Sequence, residues 1–384
     1  MSTLAIVGSG LAGYTLAREF RKIDKETSVT LISQDSADFY SKPMLSTALA
    51  QGKDAQSLVM TPAEKMSSQL NIKLHANTQV MEINRQNRQC IFADGKAVDY
   101  EKLVLALGAE PIRIPFEGNA SDDVLSINHL DDYALFRKKL TDKVKRVAIV
   151  GAGLIGCEFA NDLTSQGIKV DVIGLGETPL DTLIPAEAGK NLQAALEQQG
   201  VVWHLETTID QLDRADKGYK ITLKNGDGLT ADLVLSAIGL RSNIALAKAA
   251  ELTCNRGIVV NELLQTNDES IFALGDCAEV NGQVLPYVMP IMHSARALAK
   301  TIAGEPTKVS YPIMPVIVKT SQHPVVLAGA LTGEGINVET QTVEQGLKLE
   351  AVDSKGQLVG FCLVGEAANK EKQALLTKLN KRVA

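Results

Sequence analysis

Closely spaced cysteines, the signature of a dithiol redox centre, are missing from this chain of 384 residues. Its five cysteines, at 90, 157, 254, 277 and 362, form no CxxC or comparable pair, and an odd number in a chain of this size does not suggest a disulfide framework. A reducing compartment is the natural expectation. Basic excess is also missing: 39 lysines and arginines face 45 acids, a net charge of −6 with a pI near 5.5, which argues against a general nucleic-acid binder. No apolar run approaches a membrane span. The N-terminus lacks a basic n-region and an obvious cleavage site, and its apolar residues are explained as a first strand, so a cytoplasmic location is expected. The histidines at 75, 129, 204, 293 and 323 show no metal spacing. They read as structural or solvated, and no metal is expected.

Against these absences stands a motif written twice. Leu4-Ala5-Ile6-Val7 runs into Gly8-Ser9-Gly10-Leu11-Ala12-Gly13, and Val147-Ala148-Ile149-Val150 runs into Gly151-Ala152-Gly153-Leu154-Ile155-Gly156. In such a loop the first glycine allows a tight strand-to-helix turn, the second lets the backbone approach a pyrophosphate, and the third lets helix and strand pack closely. The phosphates then rest on a helix N-terminus, where free N–H groups favour negative charge. One GxGxxG is weak evidence. Two copies, each after an apolar strand, predict two bound dinucleotides.

Length and a 45% hydrophobic content suit two or three domains. After the first loop a helical pattern through Tyr14, Leu16, Ala17 and Phe20 leads to the strand Val29-Thr30-Leu31-Ile32, a βαβ unit. The second loop opens another, with Val170-Asp171-Val172-Ile173 as its second strand. Segments around Val201 to Leu205 and Tyr219 to Leu223, the latter followed by Asn225-Gly226, read as a β-meander, and Trp203 reads as core. Two apolar strands leave through glycine, at Gly108 and Gly239, and look like crossings between domains. Ile271-Phe272-Ala273-Leu274-Gly275-Asp276 returns to a buried strand ending in an acid. A helix is expected from Ile291 to Ala303. From about Ser310 a separate strand pattern ends in a charged helix from about Ala367 to Arg382.

The order of these pieces resembles the two-dinucleotide flavoprotein disulfide reductase superfamily over nearly the whole chain. Ala106-Leu107-Gly108-Ala109 looks like that family's Ala-Thr-Gly turn, with leucine for threonine, and Ile271 to Ala278 looks like its second flavin motif. The resemblance implies an α/β fold with two Rossmann-like, glutathione reductase-like dinucleotide-binding domains and a small C-terminal α+β domain. The expected boundaries are 1–112 with 246–308 for FAD, 113–245 for NADH, and 309–384 for the C-terminal interface domain. Disulfide reductases carry a close cysteine pair beside the flavin, and peroxide and oxidase branches carry one near the segment Ser41-Lys42-Pro43-Met44-Leu45-Ser46. This segment has none, and Cys157 and Cys277 read as packing residues. The tract Tyr40-Ser41-Lys42-Pro43-Met44-Leu45-Ser46, with Met314 to Thr320, is similar to the ferredoxin and rubredoxin reductase branch. That similarity implies an FAD oxidoreductase taking hydride from NADH and passing electrons to a small iron protein, with rubredoxin first. Ferredoxin, flavorubredoxin or a small nitrite-reductase component are alternative acceptors, and a flavin-binding regulatory or scaffold protein is the alternative of another class. A monomer is expected from the short C-terminal domain.

The resemblance also implies roles residue by residue. Gly8, Ser9, Gly10, Leu11, Ala12 and Gly13 would cradle the FAD pyrophosphate, Val80 would face adenine, and Asp276 would accept from a ribityl hydroxyl. The family's ribose acid is replaced by Ser33-Gln34-Asp35, any of which is a candidate. Lys42 would partner the flavin or its phosphates, Gly108 would form the turn beside it, and Val288 would bring backbone N–H groups near the pyrimidine. Gly151, Gly153 and Gly156 would hold the NADH pyrophosphate. Glu158, expected in the first helical turn, would approach the nicotinamide, unless it only complements the helix dipole. Ile173-Gly174-Leu175-Gly176-Glu177-Thr178 offers no cation to a 2′-phosphate, which favours NADH over NADPH, with Glu177 the candidate ribose ligand. Lys319 is expected on the acceptor's docking surface. No residue is certain to be catalytic.

Overall fold

The computed structural model describes residues 3–383, which divide into two compact units: 3–42, 57–110 and 240–311 in the first; 43–56, 111–239 and 312–383 in the second. No helix among the described residues is long and apolar enough to cross a membrane.

The first unit is built on a five-stranded parallel sheet in the order Ile271–Ala273, Lys102–Leu105, Thr3–Val7, Ser28–Ile32, Lys73–His75. Leu4, Ala5, Ile6 and Leu103 to Leu105 are almost wholly buried, as strands covered on both faces must be, and so they read as unbroken apolar runs. Leu11–Ile23 forms the helix after the first glycine loop and lays Tyr14, Leu16, Ala17 and Phe20 on the core. Arg21 and Lys22 lie in its last turn, where cations suit the helix dipole. The strand Thr3–Val7 sits between its two neighbours at the point where strand order reverses, and its carboxyl end carries the loop.

The second unit repeats the theme with four parallel strands, Val201–His204, Lys169–Ile173, Arg146–Val150 and Leu233–Ser236. Ile209–Arg214, Tyr219–Leu223 and Gly228–Ala231 form an antiparallel meander. Val201–His204 was expected in that meander and instead pairs in parallel with Lys169–Ile173. Its alternation, Val201 buried and Val202 45% exposed, suits a sheet-edge strand as well as a hairpin, and the distant partner decides. The same unit holds a five-stranded antiparallel sheet in the order Val316–Val318, Val325–Gly329, Leu358–Val364, Gly346–Val352, Asn337–Val343. Lys372–Val383 covers it with Leu375 and Leu379, one helical turn apart.

Two helix boundaries move. The helix expected from Ile291 begins at Val288, because Pro290 lies in its first turn, where a missing N–H costs no intrahelical bond. The C-terminal helix is two pieces, Glu366–Asn369 and Lys372–Val383.

Candidate functional site

Both glycine loops share one geometry. Gly8 and Gly151 each have φ +115°, a conformation that side chains resist. A Cβ on Gly8 would overlap the Ala106 carbonyl, and one on Gly151 would overlap that of Ala237. The third glycines, Gly13 and Gly156, press on the carbonyls of Gly8 and Gly151. The middle glycines differ: apart from its own chain neighbours, no atom of the described residues lies within 4 Å of a Cβ on Gly10 or Gly153. Each also caps its helix without a side-chain bond. Chain packing thus accounts for the outer glycines and not for the middle ones, each of which is the N-cap residue of its helix. That is the arrangement a pyrophosphate needs.

In the first unit, Ser9 follows the first turn and its Oγ lies 2.6 Å from that of Ser33. Ser33 donates to Asp35 Oδ1 at 2.5 Å, which leaves Ser9 to donate to Ser33 with Asp35 Oδ1 3.2 Å away, and the same oxygen takes the Ala37 N–H at 2.9 Å. Of the three ribose candidates, Ser33 and Asp35 are thus joined to the glycine loop, and Gln34 is exposed. Leu11 and Ala12 open the helix, and Val80 is buried at the start of Val80–Asn84.

Asp276 stands in a turn held against the same loop, since a Cβ on Gly275 would come within 2.9 Å of that of Ala12. Its Oδ1 is buried with no hydrogen-bond partner among the described residues. Burial raises the Asp276 pKa and the Lys42 charge opposes the rise. A buried, unpartnered carboxylate oxygen is costly, and a ligand hydroxyl would satisfy it. The FAD site therefore fits on the chain's own evidence. Ser242 and Asn243, unassigned by sequence reasoning, brace it: Ser242 Oγ donates to the Asp276 carbonyl at 2.7 Å, and Asn243 holds the Leu107 and Gly108 carbonyls at 3.0 Å each. Val288 is 40% exposed at its uncapped helix start.

In the second unit, Glu158 lies in the second turn of Leu154–Thr164 rather than the first, and it is fully buried. Its Oε2 pairs with Lys319 Nζ at 2.5 Å and accepts from Ser46 Oγ, and its Oε1 takes the Lys319 backbone N–H at 2.9 Å. Lys319 therefore does not stand as an unpaired docking cation. Glu177 is exposed beyond the second strand. An acid could not occupy position 174, because its Cβ would come within 2.7 Å of that of Ala152. The middle-glycine cradle at Gly153 fits a second dinucleotide on the same grounds as the first.

The cysteines are unsuited to redox work. Cys90, Cys157, Cys277 and Cys362 are buried, with Cys254 half-buried, and none is in a disulfide. Burial pushes the Cys90, Cys277 and Cys362 thiols up to about 12, and raises that of Cys157 further.

Two cradles on two parallel sheets, with no dithiol between them in sequence, define a two-dinucleotide reductase. Residues 2–299 match the pyridine nucleotide-disulphide oxidoreductase family, and the chain belongs to it. Residues 308–379 match the rubredoxin binding C-terminal domain. The chain is 47% identical to the rubredoxin-NAD(+) reductase of Acinetobacter baylyi over 385 residues, covering 99% of this chain and 98% of that protein. It is 45% identical to the enzyme of the same name from Alcanivorax borkumensis over 388 residues, 100% of this chain and 99% of that one. A ferredoxin reductase structure from Rhodopseudomonas palustris superposes with a TM-score of 0.89 at 27% identity, covering 99% of this chain and 96% of that one.

Proposed function

We propose that the chain is a rubredoxin-NAD(+) reductase, which takes electrons from NADH through a bound FAD and delivers them to rubredoxin. The observation that carries the reading is the pair of cradles with open middle glycines beside thiols too buried to serve as a relay. The match of residues 308–379 to the rubredoxin binding domain supports the acceptor. FAD, when bound, accepts electrons as a pair and returns them singly.

In this reading residues 1–112 with 246–308 hold FAD, 113–245 hold NADH, and 309–384 form the C-terminal domain. Gly8, Gly10 and Gly13 bind the flavin pyrophosphate, Ser33 and Asp35 the adenosine ribose, and Asp276 a ribityl hydroxyl. Lys42 lends its charge to Asp276 and its surroundings. Gly151, Gly153 and Gly156 bind the NADH pyrophosphate, and the buried Glu158 fixes Lys319, whose ammonium serves the nicotinamide end. The protein acts as a cytoplasmic monomer. The test is a steady-state screen with NADH against purified rubredoxin, ferredoxin and flavorubredoxin. Rubredoxin should turn over with the highest kcat/KM. A clear preference for another iron protein would overturn the acceptor, and a purified protein that takes up no FAD would overturn the reading whole.

A further inference from the structure

One turn beyond Glu158 on the same helix lies a second buried carboxylate, Asp162, 1% exposed and unused above. Its oxygens accept the backbone N–H groups of two consecutive residues, Ala50 at 2.8 Å and Leu49 at 3.0 Å. Those residues belong to the segment 43–56, which interrupts the first unit in sequence and packs within the second. Side chains of the second unit fasten it there. Glu158 accepts Ser46 Oγ, Lys319 Nζ donates to the same hydroxyl at 3.4 Å, Asp162 accepts Leu49 and Ala50, and Tyr133 OH donates to the Lys53 carbonyl at 2.9 Å. Glu158 and Asp162 come from one helix at i, i+4 spacing, so a single rigid element grips the segment at Ser46 and again three to four residues later.

We propose that Asp162 is a positioning residue for the second nucleotide site, gripping the Leu49–Ala50 backbone so that Ser46 is seated as a hydrogen-bond donor to Glu158. The inference rests on the reading that NADH binds at the second glycine loop; the grip itself is observable without any nucleotide. Loss of the grip frees the Ser46 hydroxyl from Glu158 and leaves that carboxylate to Lys319 alone, so the lysine that serves the nicotinamide end is held in an altered orientation and charge balance. Burial lifts the Asp162 carboxyl to about 6 against the pull of the Ala50 and Leu49 N–H groups and of Arg137, with Glu158 adding to the rise. Its protonation removes acceptor capacity and loosens the same grip. Arg137, Glu158 and Tyr133 are the titratable groups that bear on it.

The experiment uses the full-length, FAD-loaded protein as wild type, Asp162→Asn, Ser46→Ala and the double variant. Three quantities are read: amide hydrogen exchange at Leu49 and Ala50, the limiting rate of flavin reduction by NADH per bound flavin, and FAD content. Loss of a charge-assisted bond predicts that Asp162→Asn speeds exchange and slows limiting reduction about 10-fold each, with FAD retained. Ser46→Ala should slow reduction comparably while leaving exchange unchanged, and the double variant should be no slower than the slower single one. In wild type, exchange corrected for its intrinsic pH dependence should rise, and reduction slow, as pH falls through about 6. Asp162→Asn should flatten both profiles. Faster exchange with an unchanged reduction rate, or multiplicative losses in the double variant, would overturn the proposal. A wild type whose flavin NADH does not reduce, with exchange still dependent on Asp162, would instead overturn the nucleotide reading, and the positioning role with it.

Discussion

Replacing Lys319 by methionine removes the cation paired with a carboxylate that has no solvent exposure. Stranding one charge of a buried pair costs about 3–5 kcal/mol. Two features lower that figure here. The Lys319 side chain is 35% exposed against 0% for Glu158, so its ammonium keeps part of its hydration and the attraction is screened from that side. Glu158 also retains the backbone N–H of residue 319 and the Ser46 hydroxyl as donors. A loss of about 2–3 kcal/mol follows. Neutralising both partners, in Glu158→Gln/Lys319→Met, leaves an amide with donors already in place and no stranded charge, so the double variant should recover at least half of the loss. Urea unfolding of the FAD-loaded protein, followed by circular dichroism, gives each stability from its midpoint at constant m value. Single and double losses that simply add, or a Lys319→Met variant as stable as wild type, would refute the claim that the ion pair governs this carboxylate.

Four further outcomes are expected. NADH should reduce the flavin faster than NADPH in stopped-flow bleaching, and Leu175→Arg, at a position 79% exposed just past Gly174, should narrow the gap; equal wild-type rates would show the pocket misread. Gly153→Ala should change thermal stability by no more than about 1 kcal/mol while weakening NADH binding, since the space it enters is free of chain atoms. Gly156→Ala should destabilise by more than about 2 kcal/mol, because its Cβ overlaps the Gly151 carbonyl. FAD affinity should rise with pH through the raised Asp276 pKa. A ribityl hydroxyl donates to the ionised form, so binding releases a proton, and the gain ends once the free carboxylate is ionised. Equilibrium flavin titrations should show that rise in wild type and a flat profile in Asp276→Asn.

What was legible in the sequence was local. Strand, turn and helix of each glycine loop lie within a single stretch, Thr3 to Ile23 and Arg146 to Thr164, and the requirements of the turn fall on glycines in the motif itself. Asp276 was legible only as an acid closing an apolar strand; a role for it came from the family resemblance and not from its position. The partners of Glu158 were not. Ser46 lies 112 residues away and Lys319 lies 161 away, and no periodicity links them. The available signal was Glu158 itself, an acid beside Cys157 and Phe159 in a helix buried along most of its length, where a charge demands a partner. Asp162 carried the same signal one turn later. Trp203 was placed correctly as strand but with the wrong neighbours, because alternation specifies a face and not a partner. The bracing of Gly108 and Asp276 by Asn243 and Ser242 depends on backbone carbonyls that any residue would present, so composition could not reveal it.

The burial of the cysteines sets how the protein ages and how it can be handled. A thiol raised by burial to about 12 stays protonated at neutral pH, and the thiolate is the reactive form, so peroxide formed by stray oxidation of a reduced flavin would find almost no thiolate to attack. Four of the five sulfurs are shielded in this way, and Cys254, half-buried against the core of the first unit, has its thiol raised by burial as well. Thiol-directed dyes should therefore label the folded protein slowly, and fast labelling should report unfolding.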